Sequence, residues 1–173
     1  MFARIKSVLA KLEEFGRLAE NAALVVLLGA MILIGVTQIV LREVFQTSII
    51  WADDLVKLIV LWLAMVGAVA ATRDNRHIRI DALSHLLSDK AVTGVRLLVD
   101  LFTAIVCAVI AWNSWLYLQV EIEYDVTVLT TVDAPAWIAH VVLPVAFALI
   151  SYRFLVLVLR GIVGLVSGEE AAG

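Results

Sequence analysis

Cysteine is almost missing from this chain. The 173 residues hold one, Cys107, set among apolar neighbours. That excludes a disulfide framework and leaves packing as its expected role. Histidine is scarce as well. His77 and His85 fall between apolar blocks, and only His140 falls inside one. Axial haem ligation needs histidines within the helices, and the three have no zinc-ligand spacing with the acids or Cys107. No glycine-rich phosphate loop and no Ser-His-Asp arrangement is present, so no catalytic residue, cofactor or metal site is expected. Positive charge is not in excess: 13 Lys and Arg stand against 16 Asp and Glu, a net charge of −3, which argues against a nucleic-acid partner. No apolar block carries a charge at its midpoint, so the chain offers no evident path for an ion or substrate of its own. No segment alternates as a membrane barrel wall must.

What is abundant is apolar sequence. Hydrophobic residues make up 63% of the chain and the mean hydropathy is +1.02, against the roughly 45–50% apolar content of a soluble domain. The excess lies in four blocks separated by charged segments. At about 1.5 Å of rise per residue, crossing ~30 Å of hydrocarbon takes about 20 residues. Residues 22–41, 50–72, 95–119 and 135–159 meet that length. The expected fold is therefore an all-α integral membrane protein, a single membrane domain of four transmembrane helices.

Two shorter segments flank the spans. Residues 1–20 place Ile5, Leu9 and Leu12 at helical spacing among Arg4, Lys6, Lys11 and Arg17, the pattern of an amphipathic helix lying in the membrane interface. Charges run through this segment and the apolar block behind it starts late, so it is not expected to be a secretory signal. In the second loop, Ile80, Leu83 and Leu87 oppose Ser84, His85 and Ser88, which predicts a short second interfacial helix. The third loop, residues 121–133, holds four acids and no Lys or Arg. Its alternation fits either an extended segment or a frayed helix end, and both readings stay open here.

Basic residues set the orientation. With a cytoplasmic N-terminus, only Arg42 and Lys57 of the thirteen Lys and Arg fall outside, so both termini are expected in the cytoplasm. Trp51, Trp112, Trp115, Tyr117 and Trp137 then gather at the outer interface, where amphipathic rings prefer to sit. In the fourth span, Asp133 is expected to cap the helix and Pro135 to sit in its first turn. Pro144 should kink it, and Arg153 should snorkel to the inner headgroups.

The second span carries the most information. Asp53, Lys57, Val60, Ala64, Gly67 and Ala71 fall at four-three-four-three-four spacing, which puts them on one stripe. Asp53 and Lys57 form an acid-then-base pair at i,i+4 on it. Ala64, Gly67, Ala68 and Ala71 are small enough to admit another helix at close range. Charge and small residues on one stripe suggest a surface that meets protein. The alternative is that Asp53, Asp54 and Lys57 are simply at headgroup depth. Arg96 and Asp100 make another i,i+4 pair, read as local neutralisation near the interface.

Around this span Trp51, Asp53 and Asp54, then Leu61-Trp62-Leu63, Gly67, Arg73 and His77-Ile78-Arg79-Ile80-Asp81 follow in order, and Pro135, Trp137, Pro144 and Arg153 mark the last helix. In these features nearly the whole chain resembles the small membrane subunit of tripartite ATP-independent periplasmic (TRAP) transporters, the DctQ type. Asp54 stands where that family more often has glutamate, with the carboxylate kept. The resemblance implies two protein partners. A periplasmic solute-binding protein captures an organic acid or related solute, C4-dicarboxylate-like or sialic-acid-like. A large membrane subunit moves it by a sodium-coupled elevator motion. The small subunit enlarges the fixed scaffold and helps dock the periplasmic protein, within the lipids of a bacterial cytoplasmic membrane. The resulting candidate partner-interface residues are Trp51, Asp53, Asp54, Lys57, Trp62, Ala64, Gly67, Ala71, Arg73, His77, Arg79 and Asp81. The readings weighed against this one are a self-contained, homo-oligomeric small transporter or channel, and a membrane anchor for a quinone-linked enzyme.

Overall fold

The computed structural model describes residues 2–47, 49–73, 89–129 and 134–167, with side chains described over 16–47, 49, 51–73, 92–128 and 134–164. Among these residues the chain forms helices α1 (Phe2–Phe45), α2 (Ile50–Ala71), α3 (Asp89–Glu123), α4 (Ala136–His140) and α5 (Val142–Ser167). Two short strands, β1 (Thr127–Leu129) and β2 (Ala134–Pro135), lie between α3 and α4. Among the described residues four stretches are long and apolar enough to cross a bilayer: Gly16–Phe45, Trp51–Ala71, Val92–Glu123 and Ala136–Gly164. Large apolar side chains such as Leu33, Phe102, Val109 and Leu159 are more than half exposed on them. Hydrocarbon, not water, suits such a surface, and the protein is a multi-pass, all-α membrane protein.

The helices outrun the apolar blocks. α1 continues without a break from Phe2 to Phe45, where hydropathy separates an amphipathic start at residues 1–20 from a span at 22–41. Residues 16–24 contain no proline and several strong helix formers, so nothing in the backbone interrupts the ladder there. The side chains of residues 1–15, and the expected amphipathic helix of the second loop with Ile80, Leu83 and Leu87, lie outside the described residues.

The chain groups into two compact units. The first comprises residues 1–70 and 121–140. In it Gly67 of α2 faces Leu24 of α1, where a Cβ on the glycine would meet Leu24 Cδ2 at 3.9 Å. Gln38 Nε2 of α1 donates to Asp53 Oδ1 of α2 at 2.8 Å, so the two helices run antiparallel with matching register. The second unit comprises residues 71–120 and 141–173. Ala104 and Cys107 of α3 and Ala146, Ile150, Phe154 and Val158 of α5 are buried. Ser151 Oγ donates to Ala104 O at 2.8 Å, and a Cβ on Gly161 would come within 2.6 Å of Leu97 Cδ2. Close approach of helices at small residues is how apolar helices pack when lipid removes the hydrophobic drive. Arg153 Nη1 donates to Thr72 Oγ1 at 3.2 Å: the guanidinium that hydropathy assigns to the headgroups is used by the protein itself.

Both readings of the third loop hold in part. α3 extends to Glu123, and then Asp125 turns left-handed at φ 48°. Val126 N–H reaches back to Glu121 O at 3.2 Å, the six-to-one closure of a Schellman helix end. Extended backbone follows. β1 pairs antiparallel with β2, Thr127 opposite Pro135 and Leu129 opposite Ala134, with an irregularity between. Pro135 therefore belongs to the strand pair and stands just before α4, not in its first turn. Ala136 N–H, an orphan donor of the helix start, donates to Val126 O at 2.8 Å. Asp133, the expected cap, lies outside the described residues. The helix is interrupted at Val141, as Pro144 requires. Proline has no N–H for the His140 carbonyl four residues earlier, and its ring crowds that carbonyl.

Candidate partner interface

Within α2 the side chains sort by angle. At about 100° per residue, Leu55, Leu58, Ile59 and Trp62 share one face. That face lines an apolar groove of about 350 Å³ with Leu27 of α1 and with Pro135, Ile138 and Ala139. Roughly opposite lie Asp53, Lys57, Val60, Ala64 and Ala71, all exposed. The four-three-four spacing thus marks a face of α2 that the first unit leaves uncovered. Gly67 departs from it: it is half-buried and turned toward Leu24 of α1.

The ion pair on this helix is not the expected one. Lys57 Nζ lies 2.9 Å from Asp54 Oδ1, at i,i+3, while Asp53 accepts from Gln38. The α1–α2 contact explains the exchange, because Asp53 is held by Gln38 of α1 and the flexible Lys57 pairs with Asp54 instead. Trp51 is exposed at the start of the helix. Trp62 stands on the groove side, and its Nε1–H donates to Ala139 O at 2.9 Å. Arg73 is half-buried just beyond the end of α2. His77, Arg79 and Asp81 lie outside the described residues. On α3, Arg96 Nε is 4.0 Å from Asp100 Oδ2, a loose local pair whose acid is buried.

One pair is not anticipated by any sequence pattern. Glu121, 3% exposed, accepts a hydrogen bond at Oε1 from His140 Nδ1, at 2.7 Å. Its Oε2 is buried, and the described residues offer it no hydrogen bond. Glu121 and His140 are the two ends of the second stretch of the first unit, residues 121–140. The one available hint is that the single histidine in a span stands at the same membrane face as the acidic loop. Among the described residues no group of three or more His, Cys, Asp or Glu could hold a metal ion.

Comparison with known proteins gives this arrangement its setting. Residues 31–164 match the DctQ family, the DctQ component of tripartite ATP-independent periplasmic transporters. The chain is 26% identical over 97 residues to a Haemophilus influenzae protein named as a TRAP transporter small permease, covering 56% of this chain and 60% of that one. It is 22% identical to the C4-dicarboxylate TRAP transporter small permease protein DctQ of Vibrio cholerae, across 99% of this chain and 84% of the relative. A 55-residue stretch is 36% identical to the sialic acid TRAP transporter permease protein SiaT of Haemophilus influenzae, covering 32% of this chain and only 9% of that longer protein. The family match spans well over half of the sequence, and the chain belongs to the DctQ family, a family of transport proteins and not of enzymes.

Proposed function

We propose that this chain is the non-catalytic small membrane subunit of a TRAP transporter in the cytoplasmic membrane of a bacterium. It braces a large, sodium-coupled elevator subunit and helps dock a periplasmic solute-binding protein during uptake of an organic acid or related solute. The observation that carries the reading is the uncovered face of α2. Asp53, Lys57, Val60, Ala64 and Ala71 are exposed, yet they combine charge with small side chains, which suits close contact with another helix better than contact with lipid tails. The large subunit is the partner assigned to that face. The SiaT relative, in which this sequence matches 9% of a much longer permease, supports a large membrane partner. The excess of Lys and Arg in the segments assigned to the cytoplasm supports cytoplasmic termini. The acidic segment around Glu123 and Asp125 is then periplasmic.

Copurification tests the proposal. A tagged form of this chain, extracted in mild detergent, is expected to bring with it a multi-span protein encoded in the same operon. Recovery of the tagged chain alone, with that protein expressed and soluble in the same extract, would overturn it.

A further inference from the structure

The outer segment is closed on itself at several points. Glu121 and His140 join its two ends through a 2.7 Å hydrogen bond. Inside it, Val126 N–H donates to Glu121 O and Ala136 N–H donates to Val126 O, and β1 pairs with β2. Trp62 Nε1–H then ties the segment to α2 through Ala139 O, one residue before the carbonyl that Pro144 cannot serve. Local propensity supplies little of this. The strands are three and two residues long, α4 has five residues, and Asp125 holds a left-handed conformation that an L-residue adopts at some cost. Elements this short are not stable alone. Their arrangement depends on the hydrogen bonds that close them.

We propose that Glu121 and His140, with Trp62, are positioning residues that hold the outer segment in the one shape on which the periplasmic solute-binding protein docks. The inference rests on the function proposed above. The surface it presents is acidic and aromatic: Glu123, Asp125, Tyr124 and Trp137 are exposed, and residues 121–133 contain no Lys or Arg. The complementary partner is a basic patch on a soluble protein, steered by charge. Glu121 is buried, His140 is half-buried and Trp62 faces the groove, so they act mainly through the segment. If the docking-competent shape is one of several open to the segment, apparent affinity scales with its population. A hydrogen bond worth about 1.4 kcal/mol then corresponds to about a tenfold change in docking.

The experiment uses the complex of this chain with its large subunit in lipid nanodiscs, titrated with the fluorescently labelled solute-binding protein of the same operon. Glu121→Leu and His140→Phe are each expected to raise the half-saturating concentration about tenfold, with the amount bound at saturation kept. Because both remove the same bond, the double variant should also shift by about tenfold and not a hundredfold. Glu121→Gln, which keeps an acceptor for the imidazole N–H, should restore most of the affinity. An unchanged half-saturating concentration in the single variants, or multiplicative loss in the double variant, would overturn the proposal. Should either variant fail to assemble, Trp62→Phe carries the same expectation, and its unchanged affinity would be equally decisive. Absence of binding by the wild-type complex would sink the docking function itself, which separates that failure from this one.

Discussion

The uncovered face of α2 and the segment from Glu121 to His140 use their polar groups in opposite ways. On α2 the Lys57–Asp54 pair is solvent-facing, with side chains 75% and 42% exposed, and Val60, Ala64 and Ala71 beside it are exposed. In the 121–140 segment Glu121 is buried, and its carboxylate, its backbone carbonyl and the neighbouring Trp62–Ala139 contact all hold the chain to itself. Exposed ion pairs contribute little to stability because solvent screens them and long side chains lose entropy in forming them. A buried carboxylate that loses its partner is costly because nothing replaces the lost solvation. The first region is thus free to be spent on a partner, while the second is committed to the chain's own shape.

Substitutions should separate the two regions. The largest effect on the isolated chain is expected from His140→Ala, which leaves the Glu121 carboxylate buried and, among the described residues, with no side-chain hydrogen bond to either oxygen. Thermal or denaturant unfolding in detergent should show a loss of about 3 kcal/mol, and a loss no greater than that of an exposed-site control would erase the contrast. Trp62→Phe keeps the apolar body in the groove and removes the donor to Ala139 O, so a smaller loss of about 1 kcal/mol is expected in the same assay. Asp125→Gly relieves a left-handed residue at a helix end and should stabilise by about 0.5–1 kcal/mol. A decrease in stability would mean that the carboxylate holds more of the turn than the backbone conformation suggests. Ala64→Leu, on the uncovered face, should leave the isolated chain within about 0.5 kcal/mol of wild type while reducing the amount of large subunit that copurifies. Equal effects on stability and assembly would make this face part of the chain's own packing. Lys57→Ala is expected to leave the unfolding midpoint unmoved, and a clear shift would contradict the solvent-screened reading of its pair with Asp54.

Gly67 shows why spacing alone does not define an interface. It belongs to the same periodic stripe as Ala64 and Ala71, yet it meets Leu24 of the chain's own α1. Gly67→Leu therefore perturbs the α1–α2 contact as well as any external one, which makes Ala64 the cleaner probe. Trp62 teaches the same lesson from the other side. It sits in the run that carries the family resemblance, but its indole serves the 121–140 segment across 77 residues of sequence. His77, Arg79 and Asp81 lie outside the described residues and keep only their sequence-based assignment.

Much of this protein was legible in its sequence because the decisive terms were local. Four helices long enough to span a bilayer follow from runs of apolar residues, since a backbone in hydrocarbon must bond to itself. The uncovered stripe of α2 follows from a helical period that depends on no other element. The break at Val141 follows from Pro144, which acts on the carbonyl four residues before it. Tertiary structure alone decided the rest. It gave Lys57 to Asp54 and Asp53 to Gln38, and turned Gly67 toward Leu24. It also joined Glu121 to His140 across 19 residues, through a left-handed turn, a two-strand ladder and the five-residue helix α4. No period or composition encodes such a contact, because it exists only once each of those backbone events has put the two side chains within reach of one bond.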